Sequence, residues 1–376
     1  MSYIALARKY RPTNFAELVG QSVLVATLTN AIEEGRVHHA FLLTGIRGVG
    51  KTTTARIIAK NLNCEKGETA TPCEVCPNCV AIKNGSHPDV IEFDAASNTG
   101  IEDVKVIISS THYAPIMGRK KVFIIDEIHM LSTKAFNALL KTLEEPPANI
   151  VFVFATTESR KVPITILSRC QKFFLRALKQ EEISFHLKSV ATKEGFEVED
   201  EALNIISSKA GGSMRDALSI LDQAILNANG KIILYSEVKD MLKIPTQDET
   251  ECLFASILNG EVQDALEILE GLLGAGLDEV EILSDLLNLT AEKVKKEALG
   301  KAEFGMPNLI RLYQILNKGS EEVKFAESKK QALEVLIVKL IYSWKLPSPM
   351  EIMEVAKGSE AGNLLKIFEN SKLIEN

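Results

Sequence analysis

The sequence predicts an α/β domain built on a parallel sheet, followed by regions that are entirely helical. Three observations carry this. Val122 to Ile125 and Ile150 to Phe154 are apolar at every position, as strands covered on both faces of a parallel sheet must be. Segments with helical periodicity alternate with such strands. From Lys179 onward the strand-like runs give way to amphipathic segments, apart from a short exception at Lys231 to Leu234. A chain of 376 residues exceeds one compact core. The changes of texture place domains at 1–178, 179–243 and 244–376.

The first strand is Phe41 to Thr44, and Thr53 to Asn63 follows as a helix with Ala55, Ile58, Ala59 and Leu62 on one face. Between them, Gly45-Ile46-Arg47-Gly48-Val49-Gly50-Lys51-Thr52 fits the GxxxxGKT loop that cradles phosphate. The three glycines let backbone N–H groups converge on one point, where the dipole of the following helix favours an anion. Lys51 then reaches the β- and γ-phosphates of a nucleotide, Thr52 offers its hydroxyl to magnesium, and Thr53 completes the contacting set. Gly-rich turns also close ordinary strand-to-helix connections, but these do not require Lys-Thr.

Cys64, Cys73, Cys76 and Cys79 fall within sixteen residues, whereas Cys170 and Cys252 stand alone. Four soft thiolates in a reducing compartment read as a closed tetrahedral zinc site. A redox CxxC, an iron site and unliganded thiols are the rival readings; a redox pair needs two cysteines rather than four. A module of this size is expected to be disordered without its ion.

The second strand is Asp89 to Asp94, and the third ends in Asp126-Glu127-Ile128-His129, at the carboxyl edge where open α/β sheets bind ligands. Asp126 is assigned to the magnesium shell and Glu127 to the attacking water. The bland alternative is a helix start that favours acids through its dipole. His129 is read as packing. Phe136, Leu139, Leu140 and Leu143 mark a helix that stops at Pro146-Pro147 before the fourth strand, and Gln171 to Leu175 is the fifth. Thr157, just past the fourth strand, is placed to orient water or meet the γ-phosphate, although such a Thr is often a simple cap. Arg169 is a candidate phosphate-stabilising finger; an ordinary surface ion pair is its alternative. Ala210-Gly211-Gly212 ends one helix and Ser213 caps the next, with Arg215 in the first turn. A cation there opposes the helix dipole, which points to an external anion. Ala332 to Val338 is nearly all apolar, so its helix is expected to be buried on most sides.

The net charge of −7 argues against wholesale attraction to nucleic acid, so DNA contact needs a local basic surface. No apolar run is long enough to span a bilayer, and the first residues lack a secretory h-region; a cytoplasmic protein is expected.

Taken together, these motifs resemble the AAA+ ATPases, and in detail the gamma/tau family of bacterial clamp-loader subunits. The resemblance rests on Ala7-Arg8-Lys9-Tyr10-Arg11-Pro12 with Phe15, Val19-Gly20-Gln21, the phosphate loop, the four-cysteine insertion, Asp126-Glu127-Ile128-His129, Ser168-Arg169-Cys170 and Gly212 to Leu218. It implies an ATPase domain, a helical lid and a helical collar that oligomerises into a pentamer. Tyr10, Arg11, Pro12 and Val19 would contact adenine, Thr157 would be sensor 1, Arg215 sensor 2, and Arg169 a finger acting on a neighbour's ATP. The implied cofactors are ATP, magnesium and zinc. The implied partners are delta, delta-prime, further gamma/tau copies, the sliding clamp and primer-template DNA, with no membrane; the place is the nucleoid-associated replisome. Thr99 and Lys105 are candidates for backbone-phosphate contacts, with a solvated face as the commoner reading of such a Lys. Tau forms continue past the collar to bind helicase and polymerase, and with an end at Asn376 those activities are expected to be absent. Rival readings are another AAA+ remodelling or branch-migration motor, a non-hydrolysing structural subunit of the same ring, and a small-molecule P-loop kinase.

Overall fold

Where the sequence is apolar at every position, the structure places central strands. The computed structural model describes residues 3–228, 230–242, 247–300 and 305–346. β1 (Ala40–Thr44), β2 (Val90–Asp94), β3 (Lys121–Asp126), β4 (Ile150–Thr156) and β5 (Gln171–Phe174) form one parallel sheet of order β2-β3-β4-β1-β5. The register sets Thr44 beside Thr156 and Asp94 beside Asp126, so the carboxyl ends of the strands share one edge. β3 and β4 are buried almost throughout, while the edge strands β2 and β5 are only partly covered.

Alternation along each strand divides the core in two. On one face Phe41, Leu43, Val122, Ile124 and Val153 pack against α2 (Ser22–Glu33) and α3 (Lys51–Asn63), through Leu28, Ile58 and Leu62. On the other, Leu42, Ile125 and the stacked rings of Phe123, Phe152 and Phe154 meet α5 (Ile101–Thr111) and α6 (Thr133–Glu144). Burial of each such side chain contributes about 1.5–3 kcal/mol, enough to fix which face a strand residue takes. The helix after β1 begins at Lys51, two residues before the sequence reading placed it, because Gly50 is its N-cap and the phosphate-loop Lys-Thr already forms the first turn.

The remaining helices of the first unit, Met1–Lys239, are α1 (Leu6–Lys9), α4 (Pro77–Asn84), α7 (Ile164–Leu167), α8 (Gln180–Glu194), α9 (Asp200–Lys209) and α10 (Met214–Asn227). α8, α9 and α10 pack together, and the Lys231 to Leu234 exception proves to be β7 (Ile232–Ile233), paired in parallel with β6 (Glu197–Val198). α1 lies on α10, where the Leu6 N–H donates to Asp222 Oδ2 at 3.1 Å. α11 (Tyr235–Met241) spans the limit between the two units.

The second unit, Asp240–Asn376, contains α12 (Gln247–Asn259), α13 (Val262–Gly274), α14 (Glu279–Ala298), α15 (Met306–Phe325) and α16 (Lys329–Lys345) around one apolar cluster. The expectation that Ala332 to Val338 is buried on most sides is corrected here. Leu333, Leu336 and Ile337 are in the core, but Val335 is 67% exposed, because α16 turns one stripe inward. Among the described residues no helix is long and apolar enough to cross a membrane.

Candidate functional site

The phosphate loop leaves β1 at Thr44 and enters α3 at Lys51, so it lies on the carboxyl edge of the sheet. Gly48 has φ +74, and a Cβ there would fall 2.0 Å from Ser213 Oγ. The close approach joins the loop to α10: the Arg215 N–H, in the first turn of that helix, donates to the Gly48 carbonyl at 3.3 Å. Lys51 is buried, and its Nζ donates to the carbonyls of Gly45 at 2.9 Å and Ile46 at 3.0 Å. Burial lowers its pKa, while the charges of Glu127 and Asp126 work the other way. An ammonium desolvated in this manner gains from an incoming anion.

Asp126 ends β3 and Glu127 follows it. Thr52 Oγ1 donates to Asp126 Oδ2 at 2.6 Å, which puts a hydroxyl and a carboxylate side by side as oxygen donors for a small hard cation. Glu127 takes the left-handed conformation, with φ 46 and ψ 47. Its Oε2 accepts from Thr157 N and Oγ1, both at 3.0 Å, and Lys51 Nζ lies 4.0 Å from its Oε1. His129, read from sequence as packing, is engaged in this group. Its Nδ1 lies 3.3 Å from Glu127 and 2.9 Å from Thr156 Oγ1, and its Nε2 lies 3.5 Å from Glu158.

A cleft of about 950 Å³ gathers Lys51, Thr52, Asp126, Glu127, Thr157 and Arg215. That size suits a nucleotide-scale ligand. Arg47 lines it too, as do Arg8, to which the sequence reading gave no site role, and Arg56, which it did not name. Next to it, Tyr10, Arg11, Pro12, Val19, Val49 and Thr53 line a smaller recess, closed by His186, Met214 and Leu218. Those last three come from α8 and α10, and only the tertiary fold could reveal them. Tyr10 donates its hydroxyl to Glu194 of α8, and Lys9 pairs with the same carboxylate at 2.7 Å. Burial, then that bond, pushes the Tyr10 hydroxyl up to about 12. Gln21 Nε2 donates to the Arg176 carbonyl at 2.9 Å, tying this wall to the end of β5.

Arg169 is not brought into this cleft. Its Nη2 lies 2.6 Å from Glu144 Oε1, and Nη1 donates to the Thr165 carbonyl at 2.7 Å. Thr99 is exposed just before α5, and Lys105 on that helix pairs with Glu102 at 2.7 Å.

The Sγ atoms of Cys64, Cys73, Cys76 and Cys79 all lie within 4.8 Å of one another, and none is in a disulfide. Backbone N–H groups of Cys73, Cys76 and Cys79 donate to the Sγ of Cys64, Cys73 and Cys76 at 3.4, 3.3 and 3.4 Å. Donors from Val75 and Cys76 pull the Cys73 thiol down to about 6, whereas burial pushes Cys79 up. Four convergent sulfurs with N–H donors aimed at them fit a soft tetrahedral cation and leave no open ligand position.

The sheet order, the loop between β1 and α3, the acids ending β3 and the arginine of α10 define an AAA+ P-loop fold. Family models agree along the chain. One described as DNA polymerase III, delta subunit, matches residues 20–179; one described as clamp loader subunit, ATPase lid domain, matches 182–230; one for gamma and tau domain III matches 292–355. The chain is 40% identical to DNA polymerase III subunit gamma of Buchnera aphidicola (from Acyrthosiphon pisum), over 91% of this chain and 99% of that one. It is 41% identical to DNA polymerase III subunit tau of Salmonella typhimurium over 93% of this chain, and spans 57% of that relative's length. The RuvB branch migration motor of Thermotoga maritima superposes with a TM-score of 0.48 at 23% identity, over 66% of this chain and 79% of that one. The chain belongs to the DNA polymerase III gamma/tau family.

Proposed function

We propose that the chain is an ATP-hydrolysing motor subunit of a sliding-clamp loader. The observation that carries this is the convergence of Lys51, Thr52, Asp126, Glu127, Thr157 and Arg215 on one cleft, with Arg215 supplied by a helix that touches the phosphate loop through Gly48. Lys51 exchanges its carbonyl partners for phosphate oxygens, and the N-terminus of α3 adds its dipole. Thr52 and Asp126 would hold magnesium, which when bound neutralises phosphate charge. Glu127, aimed by Thr157, positions and deprotonates the attacking water. Arg215 reads the γ-phosphate, so the α8–α10 helices close when it is present and relax after hydrolysis. Tyr10, Arg11, Pro12 and Val19 hold adenine, and the cysteine cluster holds structural zinc.

In this reading residues 1–178 are the ATPase domain, 179–243 the lid and 244–376 a collar. Several copies join delta and delta-prime in a pentameric ring in the cytoplasm, at the replisome. ATP binding opens the clamp and grips primer-template DNA, with Thr99 and Lys105 as candidate phosphate contacts, and hydrolysis releases both. Family membership and the lid-domain match support this over a non-hydrolysing scaffold, which has no need of the full catalytic set. The test is steady-state ATP hydrolysis by the chain, alone and with delta, delta-prime, clamp and primed DNA, with Lys51→Ala as blank. Strong stimulation only in the full mixture is expected. Equal activity in every mixture overturns the clamp-loading role.

A further inference from the structure

The loop between Cys73 and Cys76 does more than present thiols. Glu74 within it has φ +62, a left-handed conformation that is uncommon for a residue with a side chain. Its Oε1 accepts from Thr13 Oγ1 at 2.9 Å and from Asn14 Nδ2 at 2.8 Å. The same turn is held from beneath, where the buried Lys60 of α3 donates Nζ to the Thr13 carbonyl at 2.6 Å. It is also closed on itself, since Asn14 Oδ1 accepts from Glu17 N at 3.1 Å and Glu17 Oε2 accepts from Thr13 N at 2.6 Å.

The position of this turn gives the contacts a consequence. Tyr10, Arg11 and Pro12 precede it, and Glu17, Leu18 and Val19 follow it; all six line the recess assigned to the base. Thr13–Asn14 is therefore the joint between two walls of one recess. Lys60 and Glu17 hold the joint from the ATPase core and from the turn itself, but Glu74 holds it from a loop whose two ends are candidate metal ligands. A left-handed residue persists only where its surroundings over-determine it. Here Cys73 and Cys76 are fixed on either side of Glu74 when their thiolates share an ion.

We propose that Glu74 is a positioning residue that couples the cysteine cluster to the base recess, so that metal retention and adenine-nucleotide affinity support each other. With the loop held, Glu74 pins Thr13 and Asn14 and the recess is preformed. With the thiols released, the joint loosens and the nucleotide must order it on binding. Thermodynamic linkage makes the effect reciprocal: the factor by which zinc tightens nucleotide is the factor by which nucleotide tightens zinc. The proposal rests on reading the recess as the base site and the four cysteines as a zinc site.

The experiment uses the full chain, zinc-loaded or stripped with a chelator, and measures equilibrium binding of a fluorescent ATP analogue together with zinc content. Stripping should weaken binding by the wild type about fivefold or more. Glu74→Ala should keep its zinc yet bind nucleotide as weakly as stripped wild type, with no further loss on stripping. Glu74→Gln, which retains an acceptor oxygen for both donors, should bind within about twofold of wild type, and Asn14→Ala should follow Glu74→Ala. In the reciprocal arm, saturating analogue should tighten zinc affinity, read from equilibrium competition with a chelator, by the same factor in wild type and not in Glu74→Ala. Unchanged affinity in zinc-loaded Glu74→Ala overturns the proposal, as does a full stripping penalty in that variant. Failure of the loaded wild type to bind the analogue overturns the base-site reading, and absence of bound zinc overturns the metal reading; either removes the coupling with it, by a different readout.

Discussion

Glu127 occupies a conformation that costs about 1–2 kcal/mol for a residue with a Cβ, and three neighbours hold it there. Thr157 donates twice to its carboxylate, at 3.0 Å each, and His129 lies 3.3 Å away. A side chain so constrained, at 4.0 Å from the phosphate-loop lysine, is built for position. Glu127→Gln preserves shape and an acceptor oxygen but removes the carboxylate that the proposed function makes the base. ATP hydrolysis in the assembled complex should therefore fall about 10²-fold or more, while nucleotide affinity stays within about threefold. Single-turnover hydrolysis beside equilibrium binding decides it; a parallel fall in both would make Glu127 a structural residue. His129 shows where sequence reading ends at this scale. The motif placed it beside the acidic pair, but its contact with Glu127 depends on the single 3-10 turn Ile128–Met130, which folds the chain back toward Thr156 and carries no periodic signal.

α15 and α16 approach so closely that Gly319 has no room for a side chain. A Cβ there would sit 2.4 and 2.5 Å from the two methyls of Leu336, which is itself 3% exposed and held in the apolar cluster of the second unit. Helix propensity favours alanine over glycine by about 1 kcal/mol, whereas overpacking a filled core costs about 1–3 kcal/mol. Sterics win. Gly319→Ala should lower the thermal midpoint of the chain, and its cost should not add to that of Leu336→Ala, which opens the space the new methyl needs. A raised midpoint for the single variant would show that Leu336 can move aside. Elements of this kind were legible to different depths. β3 and β4 announced themselves because both faces are covered, and their ends fell within two residues of the expectation. Strand order did not, since periodicity identifies an element and says nothing of its neighbours. The over-reading of α16 has the same origin: composition placed Val335 inside with Leu333 and Leu336, and only the position of α15 and the neighbouring helices decides which stripe is covered.

At the scale of the whole molecule, one residue of the motif set stands apart. Lys51, Thr52, Asp126, Glu127, Thr157 and Arg215 share a cleft, and Arg169 is engaged elsewhere, with Glu144 and the Thr165 carbonyl. The phosphate loop, the acids and Arg215 were legible as candidates because each carries a local chemical signal that a triphosphate site would need, and the fold brings them to one cleft. Arg169 was named from the sequence as a candidate finger, with a surface ion pair as its alternative, and only the family resemblance pointed it at a neighbour. Its own chain pairs it with Glu144, and a group that acted across a subunit boundary would leave no mark on its own chain's cleft. A paired surface guanidinium gains little from its carboxylate, about 0–1 kcal/mol, and can be drawn to a phosphate on a neighbour at small expense. If that is its role, Arg169→Ala subunits retain an intact cleft but cannot serve a neighbour, and Lys51→Ala subunits lack the cleft's phosphate-binding lysine but can. Assemblies made wholly from either variant should be poor ATPases, with finger loss alone worth about 10³–10⁵ in rate. Mixing the two in the presence of the partner subunits should restore part of the activity, with a maximum at intermediate ratios where unlike neighbours are most frequent. Action within one chain predicts no recovery at any ratio, since no subunit in the mixture carries both groups. The mixing curve of steady-state hydrolysis thus separates a shared active site from a self-contained one.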